Sequence, residues 1–236
     1  MIGSAQIGRQ KRDMKILIAC EESQRVCIEF RARGHEAYSC DIVKCSGGHP
    51  EWHILDNALS VLNGGAMKLQ NGKWIEVYKW DLIIAHPPCT YLSSVNTSGH
   101  SLKKTPVNRI IGTTLERINA MSFFMTCVQA NCDKIAVENP VGIMNSAYRQ
   151  PDQIIDPWMF AESTEDVENY VNKKTCLWIK GLPQLKVNGL KKPNNALLHG
   201  RYASGEAKTW VDLRRRSMDR SKTFPAVAKA MAEQWG

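Results

Sequence analysis

The sequence predicts an α/β fold on a mostly parallel sheet, and three observations predict it. Short apolar runs recur along the chain, and Met14–Cys20, Leu82–Ala85 and Lys134–Val137 each read as a strand buried on both faces. Helical patterns separate them, with Val26, Cys27 and Phe30 in phase before Gly34 and a longer stripe between Ile110 and Asn131. Each run also stops at a polar or proline-bearing segment, as expected at the carboxyl rim of an open sheet. A chain of 236 residues is long enough for one sizeable core of this kind.

In order, Met1–Asp13 is polar and basic and reads as a flexible leader, so one catalytic-type domain is expected over 14–236. The first strand leads through Glu21, Glu22 and Ser23 into the first helix, and Glu36–Asp41 is a second strand ending in an acid. That start resembles a nucleotide-binding βαβ unit, in which such an acid accepts hydrogen bonds from ribose hydroxyls. It lacks Gly-x-Gly-x-x-Gly in the first turn, which argues against a dinucleotide phosphate cradle. His53–Asp56 is a third strand end, again closing with an acid, and Asn71-Gly72 between Leu69 and Trp74–Val77 signals an inserted hairpin. The stripe Leu115, Ile118, Met121, Phe124, Met125 and Val128 predicts one long helix with these residues in the core. Thr175–Gly181 reads as a further strand, Lys186–Asn195 as a loop, and Ala226–Trp235 as a terminal helix. Residues 141–212 leave room for a short recognition or insert region.

The formal charge of +8 favours a polyanionic partner, because lysine and arginine gain affinity by displacing counterions from phosphates. No stretch approaches the roughly 20 apolar residues of a membrane span, and no obligate protein partner is evident. The eight cysteines lie in strand and helix patterns rather than in a dense disulfide framework, so a reducing cytoplasm is expected. Cys40, Cys45, His49 and His53 are only loosely spaced like zinc ligands, and no metal site is expected.

The chemistry concentrates at Cys89. In Trp80–Tyr91 the apolar strand stops at Pro87-Pro88, which cannot continue a ladder, so the thiol stands just past a carboxyl end. The strand Lys134–Val137 ends at Glu138-Asn139-Pro140, which sets a carboxylic acid at a neighbouring rim position. A thiol and an acid on adjacent strand ends suit nucleophilic addition assisted by a proton donor.

Asp81–Cys89 and Val137–Pro140 together resemble the catalytic strands of the DNA cytosine-5 methyltransferases. The wider pattern of Ala-His-Pro-Pro-Cys-Thr-Tyr-Leu, Glu-Asn-Pro-x-Gly, Lys-x-Thr-Cys-Leu-Trp and Arg-Ser-x-Thr-Phe-Pro resembles small bacteriophage and prophage members, from about Lys15 to Trp235. The resemblance implies a Rossmann-like S-adenosylmethionine-dependent methyltransferase fold, with DNA, single- or double-stranded, as partner and the host cytoplasm as location if the gene is phage-borne. It implies that Cys89, presented by Pro88, adds to carbon 6 of cytosine, that Glu138 holds a proton at nitrogen 3, and that Asn139 fixes the turn that aims Glu138. Burial should raise the pKa of Glu138 while that of the thiol is lowered. S-adenosyl-L-methionine would be held by Ala19, Cys20, Glu21, Glu22, Ser23, Asp41 with Ile42, Asp56, His86 and Pro87, and the base by Thr90 and an arginine among Arg214, Arg216 and Arg220.

The departures narrow the expectation. Ala19-Cys20-Glu21-Glu22-Ser23 replaces the family's Phe-x-Gly-x-Gly-Gly, so the methionine end of the cofactor must be held differently. About 85 residues lie between Pro140 and the terminal helix, too few for a large target-recognition domain, so this domain is reduced or absent and sequence selectivity low. Two alternatives stay open: an enzyme that modifies a pyrimidine nucleotide or transfers a group other than methyl, and an inactive nucleic-acid-binding protein on the same fold.

Overall fold

A computed structural model of the chain describes residues 13–94, 107–193 and 222–236. Nine strands are described: β1 (Lys15–Ala19), β2 (Glu36–Asp41), β3 (His53–Leu55), β4 (Gly65–Lys68), β5 (Trp74–Val77), β6 (Leu82–Ala85), β7 (Ile135–Pro140), β8 (Gln153–Ile155) and β9 (Thr175–Lys180). The helices are α1 (Arg25–Arg31), α2 (Ala58–Val61), α3 (Val107–Val128), α4 (Met144–Ala147) and α5 (Pro225–Trp235). Seven strands form one sheet in the order β3-β2-β1-β6-β7-β9-β8. The pairs from β3 to β7 are parallel, and β9 runs antiparallel to both β7 and β8. This is the α/β fold on a mostly parallel sheet that the sequence predicts.

Both faces of the sheet are covered, which is why its central strands read as unbroken apolar runs. Leu17, Ile83, Val137 and Trp178 point to the side of α2, α3 and the β4–β5 hairpin. Ile16, Ile18, Leu82, Ile84 and Ala136 point to the side of α1 and α5. Trp178 is buried on the first side, edge-on to Phe124 with ring centroids 5.0 Å apart, and its indole N–H donates to the Arg149 carbonyl at 2.9 Å. The β4–β5 pair is the inserted hairpin, and Gly72 takes the positive φ of 91° that its turn requires. β8 and β9, from the segment after Pro140, complete the main sheet.

The long helix corrects one expectation. Phe124 is buried and Met121, Met125 and Val128 pack against the core, but Leu115 and Ile118 are more than half exposed, as is Ile111. The reason is length: 22 residues span about 33 Å, whereas a four-residue strand spans about 13 Å. α3 returns from the carboxyl rim of β6 to the start of β7, so its first turns overhang the rim.

The chain order reverses between β1 and β6. From β1 it steps outward to β2 and β3, then crosses back to β6 on the other side of β1. The crevice above that reversal is where open α/β sheets place ligands. Among the described residues no helix is long and apolar enough to cross a membrane.

Candidate active site

A cavity of about 340 Å³ opens at this reversal. Its wall joins the turn after β1 (Cys20–Ser23), the acid ending β2 (Asp41), the segment after β6 (His86–Thr90), the end of β7 (Glu138–Pro140), and Lys173, Thr175, Lys222 and Thr223. The thiol and the acid expected to act together therefore face one space.

Cys89 owes its position to what surrounds it. The backbone N–H of His86 still bonds to the Ala19 carbonyl at 2.9 Å, after which Pro87 and Pro88 end the ladder. The Cys89 carbonyl accepts from the N–H groups of both Leu92 and Ser93 at 3.0 Å, so the chain turns at once and leaves the thiol exposed. Arg117 of α3 steadies that turn by donating to the Tyr91 carbonyl at 3.1 Å. The buried Asn139 side chain donates to the Pro87 carbonyl at 2.8 Å, which ties the Cys89 segment to β7. Asn139 thus anchors the turn that carries the thiol, rather than the turn that aims Glu138.

A second tie uses Gly142. Ile143 N–H donates to the Leu92 carbonyl at 2.9 Å, Ser94 N–H donates to the Val141 carbonyl at 3.2 Å, and Ser93 bridges Gly142. A β-carbon on Gly142 would lie 2.0 Å from the Leu92 carbonyl oxygen. The glycine of Glu-Asn-Pro-x-Gly is thus required by close backbone approach. Gly142→Ala is expected to destabilise the protein by about 1–3 kcal/mol, because two hydrogen-bonded backbones must move apart. Thermal unfolding checks this, and an unchanged midpoint would refute it.

Glu138 is held differently from expectation. β6 and β7 pair Ala85 with Val137, so His86 and Glu138 follow in register on the α1–α5 side of the sheet. There His86 Nδ1 and Glu138 Oε2 are hydrogen-bonded. Burial alone would raise the carboxyl pKa, but the His86 cation, with Lys173 and the Thr175 hydroxyl beyond it, overrides burial and lowers it to about 2. Burial opposes charge on His86 too, and the adjoining Glu138 carboxylate outweighs it and raises the imidazole above its usual value. The two directions describe one coupled pair, an imidazolium beside a carboxylate. The expectation of a raised Glu138 pKa is corrected on this ground.

Of the candidate cofactor residues, Cys20, Glu21, Glu22, Ser23, Asp41, His86 and Pro87 line the cavity. Cys20 sits at a positive φ of 61°, which turns the chain sharply after β1. The buried Glu21 carboxylate accepts from the N–H groups of Val26 at 2.7 Å and Cys27 at 3.2 Å, so it caps α1 and its oxygens are already engaged. Ala19 is fully buried, with its carbonyl taken by His86, and lies behind the cavity rather than in its wall. Ile42 is 75% exposed beside Asp41, and Asp56 is exposed with its carboxylate capping the Asn57 N–H at 2.6 Å; neither lines the cavity. Thr90 lines it, whereas Arg214, Arg216 and Arg220 lie outside the described residues.

Lys173, Thr175, Lys222 and Thr223 were not expected in the site. Their signal was present as the Lys-x-Thr and Thr-Phe-Pro motifs, but only the tertiary fold brings the two segments to Glu138. No group of three or more possible metal ligands forms among the described residues. The His53 ring bonds instead to Ser39 Oγ at 2.8 Å and the Val43 carbonyl at 2.9 Å.

No family model matches the chain, and no curated protein matches it. A solved structure similar to it is that of the Entamoeba histolytica methyltransferase EhMeth, at 11% identity and a TM-score of 0.39. The match covers 78% of this chain and 58% of that one, so the chain spans less than two thirds of its length.

Proposed function

We propose that this protein is an S-adenosylmethionine-dependent methyltransferase that modifies carbon 5 of cytosine in DNA through a covalent Cys89 adduct. The observation that carries the reading is the single cavity joining the exposed Cys89 thiol, the Glu138 carboxyl and the turn after β1. Attack of the Cys89 sulfur on carbon 6 forms a C–S bond and breaks the carbon 5–carbon 6 double bond, and a proton held between Glu138 and nitrogen 3 neutralises the negative charge that develops on the ring, leaving an enamine nucleophilic at carbon 5. Duplex DNA would have to present the cytosine flipped out of its stack. The stretch of about 85 residues between Pro140 and the terminal helix, which also supplies β8 and β9 of the main sheet, is too short for a large recognition domain, in keeping with low sequence selectivity.

The cavity fits the cofactor in its donor set. Asp41 at the end of β2 suits ribose hydroxyls, and Glu22 and Ser23 in the turn after β1 offer polar groups to a methionine end. When bound, S-adenosylmethionine supplies the electrophilic methyl group.

One observation favours a second reading. A carboxylate held ionised accepts hydrogen bonds, and the N–H at nitrogen 3 of a uracil ring donates one, so a uracil-type base or free nucleotide is a competing acceptor. Labelled methyl transfer to cytosine DNA, uracil DNA and free pyrimidine nucleotides separates the two. Cytosine DNA is expected to be the best acceptor, and transfer to uracil or to free nucleotides alone would replace this reading with the second.

A further inference from the structure

We propose that His86 is a positioning residue of this reaction: it orients the Glu138 carboxyl through Nδ1 and lends it the proton needed to hold nitrogen 3 of cytosine. The inference rests on the reading of Glu138 given above and deepens it. Cytosine nitrogen 3 accepts hydrogen bonds, so a carboxylate facing it must first become an acid. The proton has a visible source. His86 follows Ala85 as Glu138 follows Val137 in two paired strands, and among the described residues the ring's hydrogen bond runs to Glu138 alone, leaving Nε2 buried with no partner there. A ring kept only for packing would be better replaced by an apolar side chain, since a buried unpaired nitrogen is destabilising.

The surroundings let His86 hold a proton and give it up. Three charged groups act on it: Glu138 from β7, Glu21 from the turn after β1, and Lys173 from the segment before β9. Both Glu21 oxygens are fixed at the start of α1, where burial pushes its carboxyl above the ordinary range, while Glu138 is the partner in bonding contact. When a cytosine ring is held, the Nδ1–H bond breaks and an O–H bond forms on Glu138. The imidazolium becomes neutral imidazole and the carboxyl becomes a donor. Product release reverses both changes, so no proton is consumed. The same carboxyl thereby serves a ring whose nitrogen 3 is an acceptor, although it rests as a carboxylate.

His86→Asn tests this, because the amide keeps a donor close to the position of Nδ1 and carries no titratable proton. With cytosine DNA, kcat is expected to fall about 10²-fold at pH 8 and to recover as the pH is lowered and solvent protonates Glu138 directly. KM should stay within about threefold, because binding contacts are kept. In the wild-type full chain, ring ¹⁵N shifts should show His86 as imidazolium at neutral pH and as neutral imidazole in Glu138→Gln. An unchanged kcat and pH profile in His86→Asn overturns the proposal, as does a neutral His86 in the wild type. Trapping with 5-fluorocytosine DNA separates the two levels of the argument. No adduct in the wild type removes the cytosine reading and this proposal with it, whereas adducts of identical pH dependence in wild type and variant overturn the proposal alone.

Discussion

Replacing Cys89 by serine is expected to abolish the covalent adduct with 5-fluorocytosine DNA and to lower methyl transfer by about 10⁴-fold or more. Addition to carbon 6 needs a thiolate, and a serine hydroxyl, far less acidic than a thiol, supplies almost no alkoxide at neutral pH. The variant isolates chemistry from folding, because Cys89 is exposed on its turn and surface changes of this size usually stay within about 0.5 kcal/mol. Melting temperature and cofactor affinity should therefore match the wild type. The other cysteines make the result specific. Burial raises the thiols of Cys40 and Cys127 to about 12, and Cys27 and Cys20 are pushed higher still, so none is a ready thiolate. Cys45→Ser, at a cysteine that does not line the cavity, serves as the control and should trap as the wild type does. Gel-resolved adduct and tritium transfer measure both effects, and an adduct that persists in Cys89→Ser would sink the mechanism.

How far the sequence foretold this site follows from what sequence encodes locally. β1, β6 and β7 were legible because strands covered on both faces must be continuously apolar, and the rim residues followed from where those runs stop. The hairpin was legible because Asn-Gly fixes its own turn. β8 was not, since three residues of Gln-Ile-Ile carry no period and exist as a strand only by pairing with β9. α3 shows the limit of periodicity: it gives the apolar face of a helix but not how much sheet lies beneath, so Leu115 and Ile118 were assigned to a core that ends below them. Glu138 shows a different limit. Its charge state is set by His86, 52 residues away in the chain and one register step away in the sheet, and register between parallel strands is not written in either strand alone. The capping role of Glu21 is a local signal, because an acid a few residues before a helix accepts from its first N–H groups.

Glu138→Gln is expected to lower kcat by about 10²–10³-fold with little change in shape, since the amide is nearly isosteric but cannot gain and return a proton at nitrogen 3. The substitution also has a signature in stability that needs no substrate. Glu138 has its pKa depressed from the ordinary 4.5 to about 2, so its contribution to folding is fully present above pH 4.5 and is lost as pH falls through about 2. The imidazole of His86 is raised above the ordinary 6.5, so its contribution is fully present below pH 6.5 and is lost as pH rises through the higher folded value. The two overlap between pH 4.5 and 6.5, where both members are charged in the folded chain and the pair stabilises most. Removing the carboxylate leaves His86 with burial as its dominant influence, and its pKa should fall below the ordinary value. The difference in unfolding free energy between wild type and Glu138→Gln should therefore peak in that window and shrink on both sides. Urea titrations from pH 2 to 9 measure it, and a difference that does not vary with pH would show that Glu138 and His86 are not coupled.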